Sequence, residues 1–369
     1  MKKILFLIIL VGFGLFMFAC NQGANNKSPS FYRGADLSFL QMMEKGGAKF
    51  YDHGKQENAL TIFKNHGQNT VRLRLWYHPK RDLNNLANTI KMAKRIKADH
   101  LQFILDFHYS DTWADPGKQF KPKAWDSLSF PVLKDSVVAY TSRVITELKN
   151  AQAEPDIVQI GNEVTNGMLW PDGKVDGKYN TPKQWTQFTE LLKAGVKGVK
   201  KADPTGRIKI MIHIDRGGDP SGARFFFNKM KNYKVHYDMI GLSYYPWWQG
   251  PLDSLKATTA ELAHQFHKPM MVAETAYPWT EVGMSKTGAE NPDSLLSAYP
   301  ATPKGQFDFL KKVFKIVHHI PGHLGIGMLY WEPDVVPLKG QGHWTINSMF
   351  NFKGEVLPSM SVFEPEKKK

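Results

Sequence analysis

A repeated alternation of short apolar runs with helical segments constrains the fold of this chain most strongly. Eight runs have the composition of β-strands, at 32–36, 70–75, 102–107, 157–161, 208–212, 239–243, 269–273 and 325–330. Several are continuously apolar, as are parallel strands that are covered on both faces. Helical patterns lie between them, at 86–98, 132–151, 182–202, 254–266 and 302–319. Eight strand–helix units predict an α/β fold, a single (β/α)8 TIM barrel.

An open, doubly wound sheet is the alternative arrangement of such units. No Gly-x-Gly-x-x-Gly sequence follows any of the eight runs, which argues against a nucleotide-binding version of that sheet. Hydrophobic residues make up 42% of the chain and charged residues 22%, so a disordered, collagen-like or coiled-coil chain is excluded.

The chain is basic, with 48 Lys and Arg against 34 Asp and Glu and a net charge of +14. The basic residues are scattered, apart from the lysines at 367–369, and no basic run contains interleaved aromatics. We therefore expect a solvated basic surface and no nucleic-acid partner. Attraction to an acidic polymer or surface is the remaining alternative.

The amino-terminal segment has the pattern of an export signal. Two lysines precede an apolar run at 4–18, which is shorter than the roughly 20 residues of a membrane span. Ala19 and Cys20 follow, and 21–30 is polar. This resembles a bacterial lipoprotein signal, in which the cysteine becomes the lipidated first residue. A conventional signal peptide with an incidental cysteine is the alternative.

We therefore divide the chain into a lipoprotein signal peptide at 1–19, a lipidated Cys20 with a flexible tether at 20–30, and a catalytic barrel at 31–366. The protein is expected to be exported and lipid-anchored to the bacterial cell envelope, with the outer membrane favoured. Cys20 is the only cysteine, so an intramolecular disulfide and a cysteine-built zinc site are excluded.

Polar and aromatic residues follow the predicted strands at their carboxyl ends, where TIM barrels carry their active sites. Trp247 and Trp248 are adjacent in a proline-containing loop, where we do not expect both rings to be buried, so they are predicted to stack on sugar. The full set of candidate binding residues is Asp36, Arg72, His108, Asp111, Trp113, Asn162, His213, Tyr244, Tyr245, Trp247, Trp248 and Trp331.

Two glutamates are the strongest candidates for catalysis. Glu163 follows the fourth predicted strand and Glu274 follows the seventh. Carboxylates at a barrel mouth lose hydration, which penalises their charged form, so their presence needs a reason. Retaining glycoside hydrolysis supplies one, because it uses two carboxyl groups about 5–5.5 Å apart, as acid/base and nucleophile. The structural alternative is a pair of salt bridges with Arg72 or Arg74.

A catalytic metal is a weaker alternative. His108 and His213 could be ligands together with Asp106 or Asp215, but no His-x-Glu or Glu-x-x-His pattern accompanies them. Single histidines at a barrel mouth are more often hydrogen-bonding groups. No metal ligand is therefore assigned.

Seven segments in order along the chain are familiar as a set. They are RGADLS at 33–38, NTVRLRLW at 69–76, DFHYSDTWADPGKQ at 106–119, QIGNEVTNGMLWP at 159–171, GLSYYP at 241–246, ETAYPW at 274–279 and PATPKGQ at 300–306. With these segments the chain resembles glycoside hydrolase family 53, the arabinogalactan endo-β-1,4-galactanases. The resemblance covers nearly all of 31–366.

The resemblance implies a retaining mechanism on a (β/α)8 barrel, with Glu163 as general acid/base and Glu274 as nucleophile. It implies that three residues hold the nucleophile and the sugar 2-hydroxyl, namely Arg72, Asn162 and one of Tyr244 and Tyr245. It also implies that His108 and Trp331 line the −1 subsite.

The resemblance also raises the question of calcium, which some bacterial members bind in the loop after strand seven. The corresponding loop here, 280–299, contains Glu281, Glu290, Asn291 and Asp293 but no close Asp-x-Asp run. We expect no required cofactor, and a structural calcium ion stays an open alternative.

Three functions are therefore compared. The first is a lipid-anchored, monomeric endo-hydrolase of β-1,4-galactosidic bonds in pectic (arabino)galactan. The second is a related retaining endo-glycanase that acts on another β-1,4-glycan. The third is a catalytically inactive surface glycan-binding protein, which would lack one catalytic carboxylate, whereas both are present here.

Overall fold

Eight parallel strands close into a barrel in the computed structural model, which describes residues 31–285, 291–338 and 344–364. The strands are β1 (Tyr32–Asp36), β2 (Thr70–Leu75), β3 (Gln102–Phe107), β4 (Ile157–Ile160), β5 (Lys209–Ile214), β6 (Met239–Ser243), β7 (Met270–Glu274) and β8 (Gly325–Trp331). Each strand pairs with its neighbours in the sequence, and β8 pairs with β1. The predicted TIM barrel is confirmed, and the open sheet is wrong.

Helices connect the strands on the outside of the barrel. They are α1 (Leu40–Lys45), α2 (Ala59–Asn65), α3 (Leu86–Ala98), α4 (Phe130–Asn150), α5 (Pro182–Ala202), α6 (Pro220–Asn232), α7 (Pro246–Gln249), α8 (Leu252–Phe266) and α9 (Pro303–His318). Among the described residues, no helix has the length and apolarity to cross a membrane.

All eight predicted strands form, and their ends agree with the structure to within two residues. The five predicted helices also form. The sequence reading missed α1, α2, α6 and α7, and α7 contains the tryptophan pair that was expected in a loop. The start of α6 has a helix-start signal in the sequence, because Asp219 caps it and Pro220 is its first residue.

Two pairs of short strands lie outside the barrel sheet. Antiparallel pairs of short strands join Phe50–Asp52 to Lys55–Glu57 and Gly167–Met168 to Gly173–Lys174. The signal peptide, Cys20 and the tether predicted for 1–30 lie outside the described residues.

The barrel interior is divided into an apolar layer and a polar layer. The apolar layer contains side chains such as Ile104, Ile157 and Met211, which are buried in one cluster. Two residues further along the same strands stand the buried Asp106, Gln159 and His213. Side chains two apart on a strand share a face, so this polar layer lies towards the carboxyl ends, directly beneath the mouth of the barrel.

Gly34 lies where β1 approaches β2 too closely for a side chain. It pairs with Thr70 in the β1–β2 register, and a β-carbon at this position would overlap the Thr70 carbonyl oxygen. The absence of a side chain is therefore required for β1 to close the barrel against β2.

We predict that Gly34→Ala destabilises the protein by roughly 1–3 kcal/mol, the usual cost of overpacking a core. Urea unfolding followed by circular dichroism measures this loss. Gly117→Ala is the matched control, because Gly117 lies in an exposed loop where the nearest atom to an added β-carbon is 3.3 Å away. Equal midpoints for Gly34→Ala and the wild type would contradict the prediction.

Candidate active site

A cavity of about 290 Å³ opens at the carboxyl ends of the barrel strands. We call it the central cavity. Its lining comes from separate strands and the segments that follow them, so barrel closure brings these residues together rather than any local motif. Of the residues singled out from the sequence, it is lined by Arg72, His108, Trp113, Asn162, Glu163, Tyr245, Trp248, Glu274 and Trp331.

Arg72 is the central cation of this site. Its buried Nη1 lies 2.8 Å from Oδ2 of Asp36 and 2.8 Å from Oε1 of Glu274. Nη2 lies 2.9 Å from Oδ2 of Asp106 and donates to Oδ1 of Asn162 at 2.8 Å. Burial lowers the pKa of Arg72, but the three carboxylates raise it above its usual value, so the guanidinium stays charged.

Glu274, at the end of β7, is held by a cation and a hydroxyl. In addition to the Arg72 contact, the Tyr245 hydroxyl donates to Oε2 at 3.1 Å. Burial raises the pKa of Glu274 to about 7, and Arg72 and the tyrosine hydrogen bond oppose that rise. The charges of Asp36 and Asp106 add to the rise.

Glu163 follows β4 with a left-handed backbone, at φ 46° and ψ 51°. The Ser243 hydroxyl donates to its Oε1 at 2.6 Å. Burial raises the pKa of Glu163 well above its usual value, and the charges of Glu274 and Asp215 raise it further. The two glutamates therefore share one cavity but have different partners: Glu274 faces a cation, and Glu163 faces a neutral hydroxyl.

His213 lies beneath the cavity, fully buried, and supports Ser243. Its Nε2 is 2.9 Å from Oγ of Ser243, and its Nδ1 is 3.1 Å from Nε2 of Gln159. Because the single Ser243 hydroxyl proton is directed at Glu163, the serine oxygen accepts from Nε2, and Nδ1 lies 3.1 Å from Oδ1 of Asn162 as well as from Gln159. Burial lowers the pKa of His213 well below its usual value, and the Arg72 charge lowers it further, so the ring is neutral.

The two candidate tyrosines have different surroundings. Tyr245 points into the central cavity and contacts Glu274, whereas the Tyr244 hydroxyl donates to the Gly250 carbonyl oxygen at 2.7 Å. Tyr245 is therefore the tyrosine that holds Glu274, and Tyr244 packs outside the cavity.

Three other candidates also lie away from the cavity surface. Asp36 is fully buried below it, where it contacts Arg72. The Asp111 carboxylate accepts hydrogen bonds from the backbone N–H groups of His78 at 2.9 Å and Lys123 at 2.8 Å. It therefore holds two loops together beside the cavity. Trp247 packs against Tyr245 and other rings, and its neighbour Trp248 is 58% exposed at the cavity rim.

The sequence reading assigned no site role to four residues that shape the cavity. Ser243 and Gln159 support the glutamates and the polar layer, as described above. The Arg74 guanidinium lies 4.1 Å from the centre of the Trp113 ring, and Trp344 lies edge-on to Trp331 at 4.5 Å. The period of two along β2 places Arg74 on the same face as Arg72, and the sequence indicated it only as an alternative salt-bridge partner of the glutamates. No sequence pattern indicated Trp344.

Two further cavities adjoin the central one. The first, of about 560 Å³, shares Asp115, Glu163 and Trp248 with it, and we call it the Asp215 cavity after its polar wall. The second, of about 440 Å³, shares Trp113, and we call it the side cavity. The side cavity is lined by Phe39, Met42, Trp76, Pro79, Lys80, Arg81, Leu83, Asp111, Thr112 and Trp113.

No metal centre is evident in the described part of the chain, where no three His, Cys, Asp or Glu side chains cluster as ligands. His108 instead contacts Asp106 at 3.0 Å, and its Nδ1 accepts from the Ala114 backbone N–H. In the loop considered for calcium, Asn291 caps a single helical turn, while Glu290 lies outside the described residues.

Comparisons with known proteins agree with this geometry. The model of the family described as "Glycosyl hydrolase family 53" matches residues 32–363. The chain belongs to glycosyl hydrolase family 53. A Cellvibrio japonicus arabinogalactan endo-β-1,4-galactanase is 36% identical, over 94% of this chain and 93% of its own. A Bacillus subtilis endo-β-1,4-galactanase is 30% identical, over 90% and 85%.

Solved structures give the same result for this family 53 chain. The catalytic domain of the Ignisphaera aggregans family 53 protein superposes with a TM-score of 0.83 at 34% identity. The match covers 91% of this chain and 96% of that domain. The barrel and its catalytic end therefore follow the family architecture, and the protein is a glycoside hydrolase.

The Arg72 network generates a stability prediction for this family 53 barrel. Arg72→Met leaves three buried carboxylates without their cation, which should cost about 3–5 kcal/mol in urea unfolding at pH 7. Burial raises the pKa of Asp106, but Arg72 and His108 lower it by more, so its pKa in the folded protein lies below the usual value. Ionised Asp106 therefore stabilises the folded protein at any pH above the pKa that it has in the unfolded chain. The deficit of the variant should therefore shrink as the pH falls and the carboxylates become protonated.

Arg95→Met is the matched control for this measurement. Arg95 makes a bidentate ion pair with Glu44 at 2.6 and 2.7 Å, but both side chains are about one-third exposed. Its removal should cost less than about 1 kcal/mol. Similar losses for the two variants would contradict the central role of Arg72.

Proposed function

We propose that this protein is a retaining endo-hydrolase of β-1,4-galactosidic bonds in pectic (arabino)galactan, with Glu163 as acid/base and Glu274 as nucleophile. The single observation that carries the proposal is the contrast between the two carboxyl groups. Glu274 contacts the Arg72 cation, which favours its ionised form, whereas Glu163 accepts from the neutral Ser243 hydroxyl and is close to other carboxylates. Retaining glycosidases need one ionised and one protonated carboxyl group in the same cavity.

The mechanism follows from these roles. Glu163 donates its proton to the glycosidic oxygen while a Glu274 oxygen attacks the anomeric carbon, so the leaving sugar departs and a covalent glycosyl-enzyme forms. Glu163, now ionised, then removes a proton from a water molecule, which attacks the same carbon and releases Glu274. Arg72 and Tyr245 keep Glu274 in place throughout.

The surroundings of the two groups favour the protonation states that this mechanism requires. The pKa of Glu274 is about 7, and that of Glu163 is raised well above its usual value. Because Arg72 favours the ionised form of Glu274, the first proton leaves Glu274 and Glu163 retains the other. The active form is therefore Glu274 ionised with Glu163 protonated.

The shape of the site supports internal cleavage of a neutral chain. The central and Asp215 cavities lie side by side with Glu163 in both linings, which provides room for glycan on both sides of the cleaved bond. Trp113, Trp248 and Trp331 present ring faces or edges along this path, and stacking on such rings is worth on the order of 1 kcal/mol each. The names of the galactanase relatives support galactan over mannan or xylan.

An inactive glycan-binding protein is the less favoured function. A binding protein needs aromatic rings but has no use for a nucleophile held by Arg72 and Tyr245 or for an acid held by Ser243. The retention of all these contacts favours catalysis.

We predict that Glu163→Gln and Glu274→Gln each lower the rate of hydrolysis of debranched β-1,4-galactan at least 100-fold. Glu281→Gln, in an exposed loop, is the matched control and should keep full activity. Proton NMR of the first products should show the β-anomer, and early products should form a ladder of oligosaccharides. More than a tenth of wild-type activity in either variant, or an initial α-anomer, would refute the assignment.

Ser243 has a specific place in this mechanism. Its hydroxyl donates a hydrogen bond to Oε1 of Glu163. Oε2 is therefore the oxygen that carries the proton donated to the glycosidic oxygen. The hydrogen bond also lowers the pKa of Glu163, against the rise caused by burial and neighbouring charges. Since His213 is neutral and anchored to Gln159, the serine is held in one orientation.

Ser243→Ala should therefore slow the steps that depend on proton donation. With a phenyl β-galactobioside, kcat/KM should fall roughly 10- to 100-fold, as expected for a lost hydrogen bond to a charged group. With a 2,4-dinitrophenyl β-galactobioside, which leaves without a proton, it should fall less than about threefold. The basic limb of the pH profile should move to higher pH, because the interaction that lowers the pKa of Glu163 is removed.

Thr275→Val is the matched control for Ser243→Ala. Thr275 is buried beside Glu274, and its hydroxyl has no hydrogen-bond partner among the described residues. This variant should leave both the pH profile and the leaving-group dependence unchanged. Equal losses on the two substrates for Ser243→Ala would show that the serine has no part in proton donation.

We further propose that Cys20 is lipidated and anchors the exported protein to the bacterial cell envelope, with the outer membrane favoured. Phe31 precedes β1 at the amino end of the barrel, where it packs against Phe314 and His318 of α9. The central cavity opens at the opposite end. Ten tether residues, 21–30, span at most about 33–36 Å, so the barrel would stay close to the membrane and be attached at the end opposite the active site.

Cys20→Ser should move the protein from the membrane fraction to a soluble fraction, because the lipid chains supply the membrane affinity. Fractionation and incorporation of labelled palmitate measure the change. Ser28→Ala, in the same polar segment, is the control and should stay with the membrane. A membrane-bound Cys20→Ser protein would disprove anchoring through this residue.

A further inference from the structure

The side cavity has a rigid aromatic wall that it shares with the active site. Its rings come from Phe39, Trp76 and Trp113. The Arg74 guanidinium lies between two of them, 4.2 Å from the centre of Phe39 and 4.1 Å from the centre of Trp113. Arg74 is itself buried in an ion pair with Glu332. Because that pair fixes the cation, the rings are held in place before any ligand arrives.

The loop that forms the outer rim of this cavity is fixed at several points. The Trp76 backbone N–H donates to the Asn84 carbonyl oxygen at 2.8 Å, and the Tyr77 N–H donates to that of Ser110 at 2.7 Å. The Asp111 carboxylate accepts a hydrogen bond from the backbone N–H of His78 and so holds the loop in place. The rim is therefore preorganised, and the one acidic side chain of the lining is already engaged.

Two cations stand on this rim without a counter-charge. Lys80 and Arg81 are exposed and form no ion pair in the described ranges of the chain. The adjacent Asp82 is held by the side-chain amides of Asn85 and Asn88, each at 2.9 Å. The lining of the side cavity contains two cations, Lys80 and Arg81, and one carboxylate, Asp111, so its net charge is +1.

We propose that the side cavity binds a carboxylate-bearing sugar residue, a hexuronic acid, carried by the substrate glycan. The aromatic wall suits the apolar face of a sugar ring, and the two cations suit its carboxylate. The volume of about 440 Å³ lies within the usual range of ligand pockets, roughly 300–1,000 Å³. A neutral galactan would leave both cations unused. The net charge of +14 would also draw an acidic polymer towards the protein.

The position of the side cavity indicates on which side of the cleaved bond the acidic sugar lies. This step rests on the proposed function. Glu163 borders the Asp215 cavity, so the sugars that leave after proton donation lie there. The side cavity instead borders the central one, with Trp113 in both linings. The acidic sugar therefore belongs to the part of the glycan that stays attached to Glu274 after cleavage.

Calorimetric titration of the purified protein with α-1,4-trigalacturonic acid at low salt tests the proposal. The wild type should bind it with a millimolar Kd, and Lys80→Ala/Arg81→Ala should weaken binding at least tenfold. Lys200→Ala/Lys201→Ala, which removes the same charge from the exposed end of α5, is the matched control and should bind like the wild type. Neutral β-1,4-galactotriose should bind all three proteins equally.

Each other outcome overturns the proposal. Absence of binding to the wild type shows that the cavity takes no uronic acid. An equal loss in the control shows attraction by net charge alone. A loss of galactotriose binding in Lys80→Ala/Arg81→Ala shows that the cavity takes a neutral branch. Hydrolysis of neutral galactan is measured separately, so failure of the galactanase assignment appears there and leaves the titration readable.

Discussion

The buried guanidinium of Arg72 is the interaction on which the rest of the site depends. It joins carboxylates from β1, β3 and β7, which would otherwise repel one another in a region with little water. A buried ion pair stabilises only when every donor is used, and here Nε also donates to Oε1 of Gln159 at 3.0 Å. The same contacts that hold the barrel together therefore also favour the ionised form of Glu274. Structure and chemistry are served by one cation.

The alternation of side chains along the strands explains why a polar site can sit on an apolar core. Ile104 and Asp106 share the inner face of β3, and Ile157 and Gln159 share that of β4. Two residues further along each of these strands, the barrel interior thus changes from a packed apolar layer to a hydrogen-bonded polar layer. The polar layer therefore rests on a packed layer of apolar side chains, which helps to keep its groups in fixed positions.

Most of the fold could be predicted because each barrel strand is a short apolar run with clear ends. The glutamates could be predicted because they stand at strand ends, where the fold dictates their direction. The same rule could have separated the tyrosines, since Ser243 faces inwards and Tyr245 is two residues further. Asp111 and Trp247 could not be placed, because they lie beyond the strands, where loop hydrogen bonds and a short helix decide where side chains point.

The backbone at Glu163 carries a consequence for how such an enzyme can change. A residue with a side chain at φ 46° is in a region that costs roughly 1–2 kcal/mol relative to glycine's freedom there. The position that chemistry reserves for a long carboxylic acid is thus one where the fold alone would favour glycine. Selection for stability and selection for turnover therefore act in opposite directions at this residue. In a related barrel that no longer needs catalysis, replacement of this glutamate by glycine would relieve the backbone strain.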